Sequence, residues 1–188
     1  MKLSLDKKQE KKISFNVNGI TSTFANILRR YVVARIPTIA VERVTFYDNT
    51  SALWDEYISH RLGLIPIKTP KKVPKDVEVT LTLDAEGPKT VYSSELVSSD
   101  EEATPGVDKI VILTLAQNQR IRFEAKAKLD DARSHGKHQA GLMAYDQKDD
   151  DKFNMFVETF YQMSAEEVLV RACEKAVEDL EEIEKALK

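Results

Sequence analysis

Cysteine is nearly absent: Cys173 is the single thiol among 188 residues. One thiol forms no intrachain disulfide and cannot alone build a cysteine-based zinc or iron–sulfur site. A reducing, cytoplasmic setting without a metal or cluster is expected. No apolar run approaches the roughly 20 residues that span a bilayer, so no membrane association is expected. The stretch from Met1 to Lys12 is charged throughout and does not read as a secretory signal. An excess of one charge is also missing. Lys and Arg number 28 against 31 Asp and Glu, a net charge of -3, so no strong field favours nucleic acid. Any contact with DNA is expected to be indirect. Gly-rich phosphate loops, nucleophile elbows and paired catalytic motifs are lacking too, and no catalytic residue is assigned.

What is present is a strand-rich middle between helical ends. Ile13, Phe15 and Val17 alternate with polar residues as a half-buried strand, and Asn18-Gly19 marks a turn. Phe24, Ile27, Leu28 and Tyr31 fall on one face of a helix that ends near Arg35, because Pro37 disfavours helix at Ile36. Thr38 to Tyr47 reads as a strand. Asp48-Asn49-Thr50-Ser51, a turn and a cap, leads into a short amphipathic helix carrying Leu53, Trp54, Tyr57, Ile58 and Leu62. Val77, Val79, Leu81 and Leu83 alternate cleanly, and Val91-Tyr92, Ile110 to Leu115 and Ile121 to Leu129 supply further strands. Ser98 to Gly106, Asp130 to Gly141 and Asp146 to Lys152 read as polar loops, followed by a last strand from Phe153 to Tyr161.

The final helix is capped by Ser164, with Glu167 completing a capping box. Along it Leu169, Cys173, Ala176, Leu180, Ile183 and Leu187 lie alternately four and three residues apart among Glu and Lys. Such a narrow heptad seam suits lengthwise packing on another helix. It could cover the protein's own sheet, bind a partner, or do both with its two edges.

Other polar residues have an ordinary reading beside a functional one. Arg29-Arg30 reads as a solvated pair on the outer helix face, or as an interface pair that forks onto carboxylates or carbonyls. His135 and His138 with Asp130 and Asp131 have ligand chemistry, but no third strong ligand spacing. His60 reads as a structural hydrogen-bonding residue. Asp149-Asp150-Asp151 reads as a solvated charge run, and Lys68, Lys71, Lys72 and Lys75 as a basic loop without aromatic interleaving.

Two blocks carry a resemblance. Phe24-Ala25-Asn26-Ile27-Leu28-Arg29-Arg30 resembles the F-A-N-A-L-R-R helix of the D-type subunits of archaeal RNA polymerase, and is similar to the G-N-A-L-R-R helix of bacterial alpha. Tyr57-Ile58-Ser59-His60-Arg61-Leu62-Gly63-Leu64-Ile65-Pro66-Ile67 resembles the family's H-R-L-G-L-I-P block, at matching spacing. The likeness runs from about Ile13 to the last helix. It departs at Ser134 to Ala140, where His138 and Ala140 stand for the tryptophan and proline of the family's H-A-K-W-Q-P loop. The cysteine-rich iron–sulfur domain of some members has no counterpart here.

The resemblance implies an α+β fold. A discontinuous dimerisation domain, a small sheet plus two helices, would comprise residues 1–47 and 152–188, with a β-rich domain inserted over 48–151. It implies a non-catalytic polymerase subunit that pairs with subunit L and collects subunits N, P and B. Phe24, Ile27, Leu28, Tyr31 and the seam Leu169, Cys173, Ala176, Leu180, Ile183 and Leu187 would form the dimer contact. Arg29 and Arg30 would dock the large subunit. The competing readings are an alpha-like homodimer using the same seam on itself, and a small α+β enzyme with a site at its dimer interface.

Overall fold

The computed structural model describes residues 1–74 and 76–188. Lys75 of the basic loop lies outside the described residues. The strands and α-helices follow as β1 (Lys2–Lys8), β2 (Lys12–Asn18), α1 (Ser22–Ala34), β3 (Thr38–Asn49), α2 (Asp55–Gly63), β4 (Glu78–Glu86), β5 (Lys89–Tyr92), β6 (Val97–Ser98), β7 (Val111–Leu115), β8 (Arg120–Asp130), β9 (Gly141–Asp149), β10 (Lys152–Thr159) and α3 (Ala165–Ala186). They form two compact units, Met1–Pro37 with Asp131–Lys188, and Thr38–Asp130.

The first unit is a four-stranded sheet, β1-β2-β10-β9, carrying α1 and α3. Its core follows from alternation. Ile13, Phe15 and Val17 of β2 pair directly with Val157, Met155 and Phe153 of β10, and all six side chains are buried. The Asn18-Gly19 turn is present, with Gly19 at φ 78° and its N–H donating to the Asp151 carbonyl at 2.8 Å. Glycine accepts that left-handed backbone without steric cost. Helix α1 ends with Arg35 as its C-cap, as the following proline requires.

β1 was not legible in the charged opening stretch. Leu3 and Leu5 pair with Val17 and Phe15 and so share the core-side face, yet both stay 56% exposed on the outermost strand. The segment expected as an acidic loop is a β9–β10 hairpin instead, with Asp150-Asp151 at its turn. The expected polar loop between Asp130 and Gly141 contains a short 3-10 turn, and Asp131 and His138 within it are buried.

The second unit holds the sheet β3-β8-β4-β6 and the ribbon β5-β7. Ile121, Phe123, Ala125 and Ala127 of β8 face the core beside Val79, Leu81, Leu83 and Ala85 of β4. β3 shows why its pattern is irregular in sequence. Ile39 and Val41 face inward at odd positions, Val44 and Phe46 at even ones. The register shifts between Val41 and Arg43, so a bulge at Glu42 inverts the parity. Helix α2 seals this core with Ile58 and Leu62. The cap expected within Asp48–Ser51 does not form: Trp54 is the N-cap residue and makes no side-chain cap bond. The Ser98–Gly106 segment is not wholly exposed either, since Ala103 is fully buried and Pro105 bridges to Ile67.

The expected boundaries therefore move. Residues 48 and 151 do not delimit the inserted unit; Thr38 and Asp130 do. The reason is pairing. β3 runs beside β8 along its whole length, which carries residues 38–47 into the inserted unit, while β9 pairs with β10 and stays with the termini.

Candidate functional site

The candidate surface of the terminal unit lies on α1 and α3, where exposed apolar side chains gather. Their inward faces are built from small residues. Ala25 and Val32 of α1, and Ala165, Val168 and Ala172 of α3, are buried. Small side chains let the helices approach the sheet closely, and the larger apolar side chains then point elsewhere.

On α1, Leu28 and Tyr31 are half-buried against the core, while Phe24 and Ile27 are exposed. On α3 the heptad seam straddles the edge of the buried face. Leu169 and Ala176 are half-buried; Cys173, Leu180, Ile183 and Leu187 are exposed. Leu187 is the C-cap residue, and every residue from 181 onward is exposed, so α3 outruns its own core. Two members of this surface were missed in sequence. Val170 and Val177, each more than half exposed, extend the seam on its outer side. A second heptad register, with Val170 and Val177 seven apart, was the signal that could have found them. Exposed apolar side chains grouped along two helices in this way make them the candidate interaction surface.

The Ser164 cap is present, accepting from the Glu167 N–H at 3.2 Å. The Glu167 carboxylate is held by Arg171 at 2.6 Å, which gives the expected capping box a different partner.

One polar cluster ties the two helices together. The Tyr31 hydroxyl donates to Asp179 Oδ2 at 3.0 Å, Arg35 pairs with the same oxygen, and Lys175 Nζ lies 3.2 Å from Oδ1. Burial pushes the Asp179 carboxyl up, but the bonds from Arg35, Tyr31 and Lys175 outweigh it and hold it below its ordinary value. This stabilisation is complete above the unfolded carboxylate's value of about 3.9 and is lost as pH falls through the lower folded value. The stability gap between wild type and Asp179→Asn should therefore close below about pH 4, measured by thermal melts across the acid range. A gap unchanged through that range would deny the carboxylate its role.

The remaining candidates separate. Arg29 is half-buried and donates from Nε and Nη2 to Asn26 Oδ1 at 3.2 and 2.9 Å, while Arg30 is exposed and makes no ion pair among the described residues. The His60 side chain is exposed and makes no hydrogen bond among them, against its reading as a structural hydrogen-bonding residue. His135 Nδ1 accepts from the Lys137 N–H at 3.1 Å and caps the short turn, whereas His138 is a core residue. Asp131 is engaged by Arg133 at 2.7 Å. Among the described residues no three His, Cys, Asp or Glu side chains come together as a metal site, and no helix is long and apolar enough to cross a membrane.

Fold and surface thus define a two-unit α+β chain whose terminal unit carries exposed apolar side chains on two helices. Comparison with known proteins gives that class a family. Residues 43–148 match the RNA polymerase Rpb3/RpoA insert domain. The DNA-directed RNA polymerase subunit Rpo3 of Methanocaldococcus jannaschii is 43% identical over 150 residues, covering 80% of this chain and 77% of that protein. Subunit Rpo3 of Pyrococcus horikoshii is 44% identical over 152 residues, 77% of this chain and 59% of the relative. That of Halobacterium salinarum is 40% identical over 135 residues, 72% and 54%. The chain belongs to the family of DNA-directed RNA polymerase subunit Rpo3. It spans little more than half the length of several of these relatives, the Pyrococcus and Halobacterium proteins among them.

Proposed function

We propose that the chain is a non-catalytic subunit of a DNA-directed RNA polymerase. In this reading it pairs with subunit L and serves as the platform on which subunits N, P and B assemble, B being the large one. The observation that carries it is the exposed apolar surface of α1 and α3 in a chain akin to Rpo3. Fully burying one Leu or Ile contributes roughly 1.5–3 kcal/mol, so Leu180, Ile183 and Leu187 together give a partner helix ample driving force. The nucleotidyl-transfer chemistry belongs to other subunits, DNA is met only indirectly, and a cytoplasmic location fits. With Cys173 as its one thiol, this stretch of chain would hold no iron–sulfur cluster.

Co-expression with subunit L, followed by light scattering under native conditions, tests the pairing. A one-to-one complex is expected. A stable homodimer that ignores subunit L would favour the alpha-like arrangement instead. Arg30, exposed and without an ion pair among the described residues, is the candidate for docking the large subunit, with Arg29 beside it as a residue tied to Asn26. Arg30→Glu should weaken recruitment of the large subunit and spare both the fold and the pairing with subunit L.

A further inference from the structure

Helix α3 is anchored over only part of its length. Ala165, Val168 and Ala172 are buried in the core of the terminal unit, and Asp179, its side chain 16% exposed, is the last residue of the helix that is not exposed. From Leu180 to Lys188 every residue is exposed, and the side-chain bond found there among the described residues runs from Lys188 to Glu184. These projecting turns have little to hold them. Glu181, Glu182 and Glu184 lie close to the C-terminal end of the helix, where the backbone dipole disfavours negative charge. Short helical segments without tertiary packing are marginal in water. Yet this stretch carries Leu180, Ile183 and Leu187 of the candidate pairing surface.

Charged groups hold the last packed turn. The Asp179 carboxylate faces α1, where it accepts from the Tyr31 hydroxyl and pairs with Arg35, the C-cap residue of that helix. From its own helix Lys175 reaches the other carboxylate oxygen and also Glu178 Oε2 at 3.0 Å. The Arg35 guanidinium carbon lies 5.7 Å from the Tyr31 ring centre, a cation–aromatic contact that ties the two α1 partners to each other. Tyr31 and Arg35 stand at the C-terminal end of α1, whereas the exposed Phe24 and Ile27 stand at its start. The apolar surface thus has two arms, the start of α1 and the end of α3, and Asp179 lies where the two helices are joined. A pair that served stability alone would do as well at any packed turn. This one sits at the boundary between the anchored and the projecting length of α3, next to Leu180.

We infer that Asp179 is the positioning residue of the pairing surface: held by Arg35, Tyr31 and Lys175, its carboxylate fixes the projecting end of α3 to α1 and presents Leu180, Ile183 and Leu187 to a partner helix as a preformed face. Such preorganisation strengthens binding because the segment need not be ordered at the moment of contact. The inference rests on the reading above that this surface pairs with subunit L.

The test uses the full chain, alone and with subunit L. Asp179→Asn keeps the shape of the side chain and removes its charge. Well below its melting temperature the variant is still folded, so affinity measured there reports on the position of α3 and not on unfolding. Affinity for subunit L should fall roughly tenfold or more. In the chain alone, hydrogen exchange should quicken at amides 180–187, while the amides of β2 and β10 keep their protection. Arg35→Gln should reproduce both effects, and the double variant should lose little more than either single one, because the two side chains act through one ion pair. Wild-type affinity in Asp179→Asn would overturn the inference. So would exchange that quickens evenly over the whole unit, or losses at positions 35 and 179 that simply add. If the wild-type chain does not pair with subunit L but exchange at 180–187 quickens in the variant, the partner assignment falls and Asp179 stands as the residue that holds the end of α3.

Discussion

Val177→Glu combined with Leu180→Glu should leave the chain folded and abolish the proposed pairing with subunit L. Both side chains are well exposed, at 55% and 65%, so two carboxylates there cost the isolated chain little; surface changes usually stay within about 0.5 kcal/mol. In a complex the same positions would lie under a partner helix. Stranding an unpaired charge at a buried position costs about 3–5 kcal/mol, and two of them remove much of the roughly 8–12 kcal/mol of a micromolar to nanomolar contact. The expected loss of affinity is roughly a thousandfold or more. Light scattering of the co-expressed pair reads the effect, and circular dichroism of the variant alone checks that the fold is kept. Wild-type pairing by this variant would move the contact off α3.

The second large effect concerns stability. Phe15 sits near the centre of β2, cross-strand from Leu5 on one side and Met155 on the other, and is only 2% exposed. It lies under the helices in the core cluster of the terminal unit. Phe15→Ala removes the transfer free energy of the ring and leaves a cavity that the small inward-facing alanines of α1 and α3 are too short to fill. The loss should be about 3–5 kcal/mol, against the roughly 5–15 kcal/mol that a domain has in total. Chemical denaturation should reveal a large fall in midpoint. Leu5→Ala, on the same face but half uncovered, should cost much less. Equal losses at the two positions would mean that β1 is covered in solution.

Much of this architecture was legible in the residues. Clean alternation marked β2, β4 and β8, and Pro37 marked the end of α1, because each signal depends on local geometry alone. β1 and β9 were not legible. The apolar half of β1 is only Leu3 and Leu5 among lysines and an aspartate, and β9 passes from Leu142 and Met143 into Asp146 to Asp149. Both are made strands by their partners β2 and β10, a tertiary cause that no window of sequence contains. The α2 helix shows the opposite failure. Its aromatic residues suggested a core face, but the core took Ile58 and Leu62 and left Trp54 and Tyr57 outside. On α3 the alanines that face the sheet attract no attention in sequence, so the heptad of larger residues seemed to be the whole apolar face. The arginine pair and the seam could be named from the residues. The Asp179 cluster could not, since it depends on side chains brought together from α1 and α3.

The pairing of β2 with β10 also sets an order of events during synthesis. Residues 38–130 form a continuous stretch with its own core, and that stretch can close as soon as it has left the ribosome. The terminal unit must wait. Its central ladder joins Lys12–Asn18 to Lys152–Glu158, so the β1–β2 segment emerges ahead of the inserted unit and stays without its main partner until residues 152–158 have been made. At about 5–20 residues per second that interval lasts on the order of ten seconds. Throughout it Phe15 and Val17 lack their cross-strand partners Met155 and Phe153, and the edge of β2 away from β1 stays open to other strands.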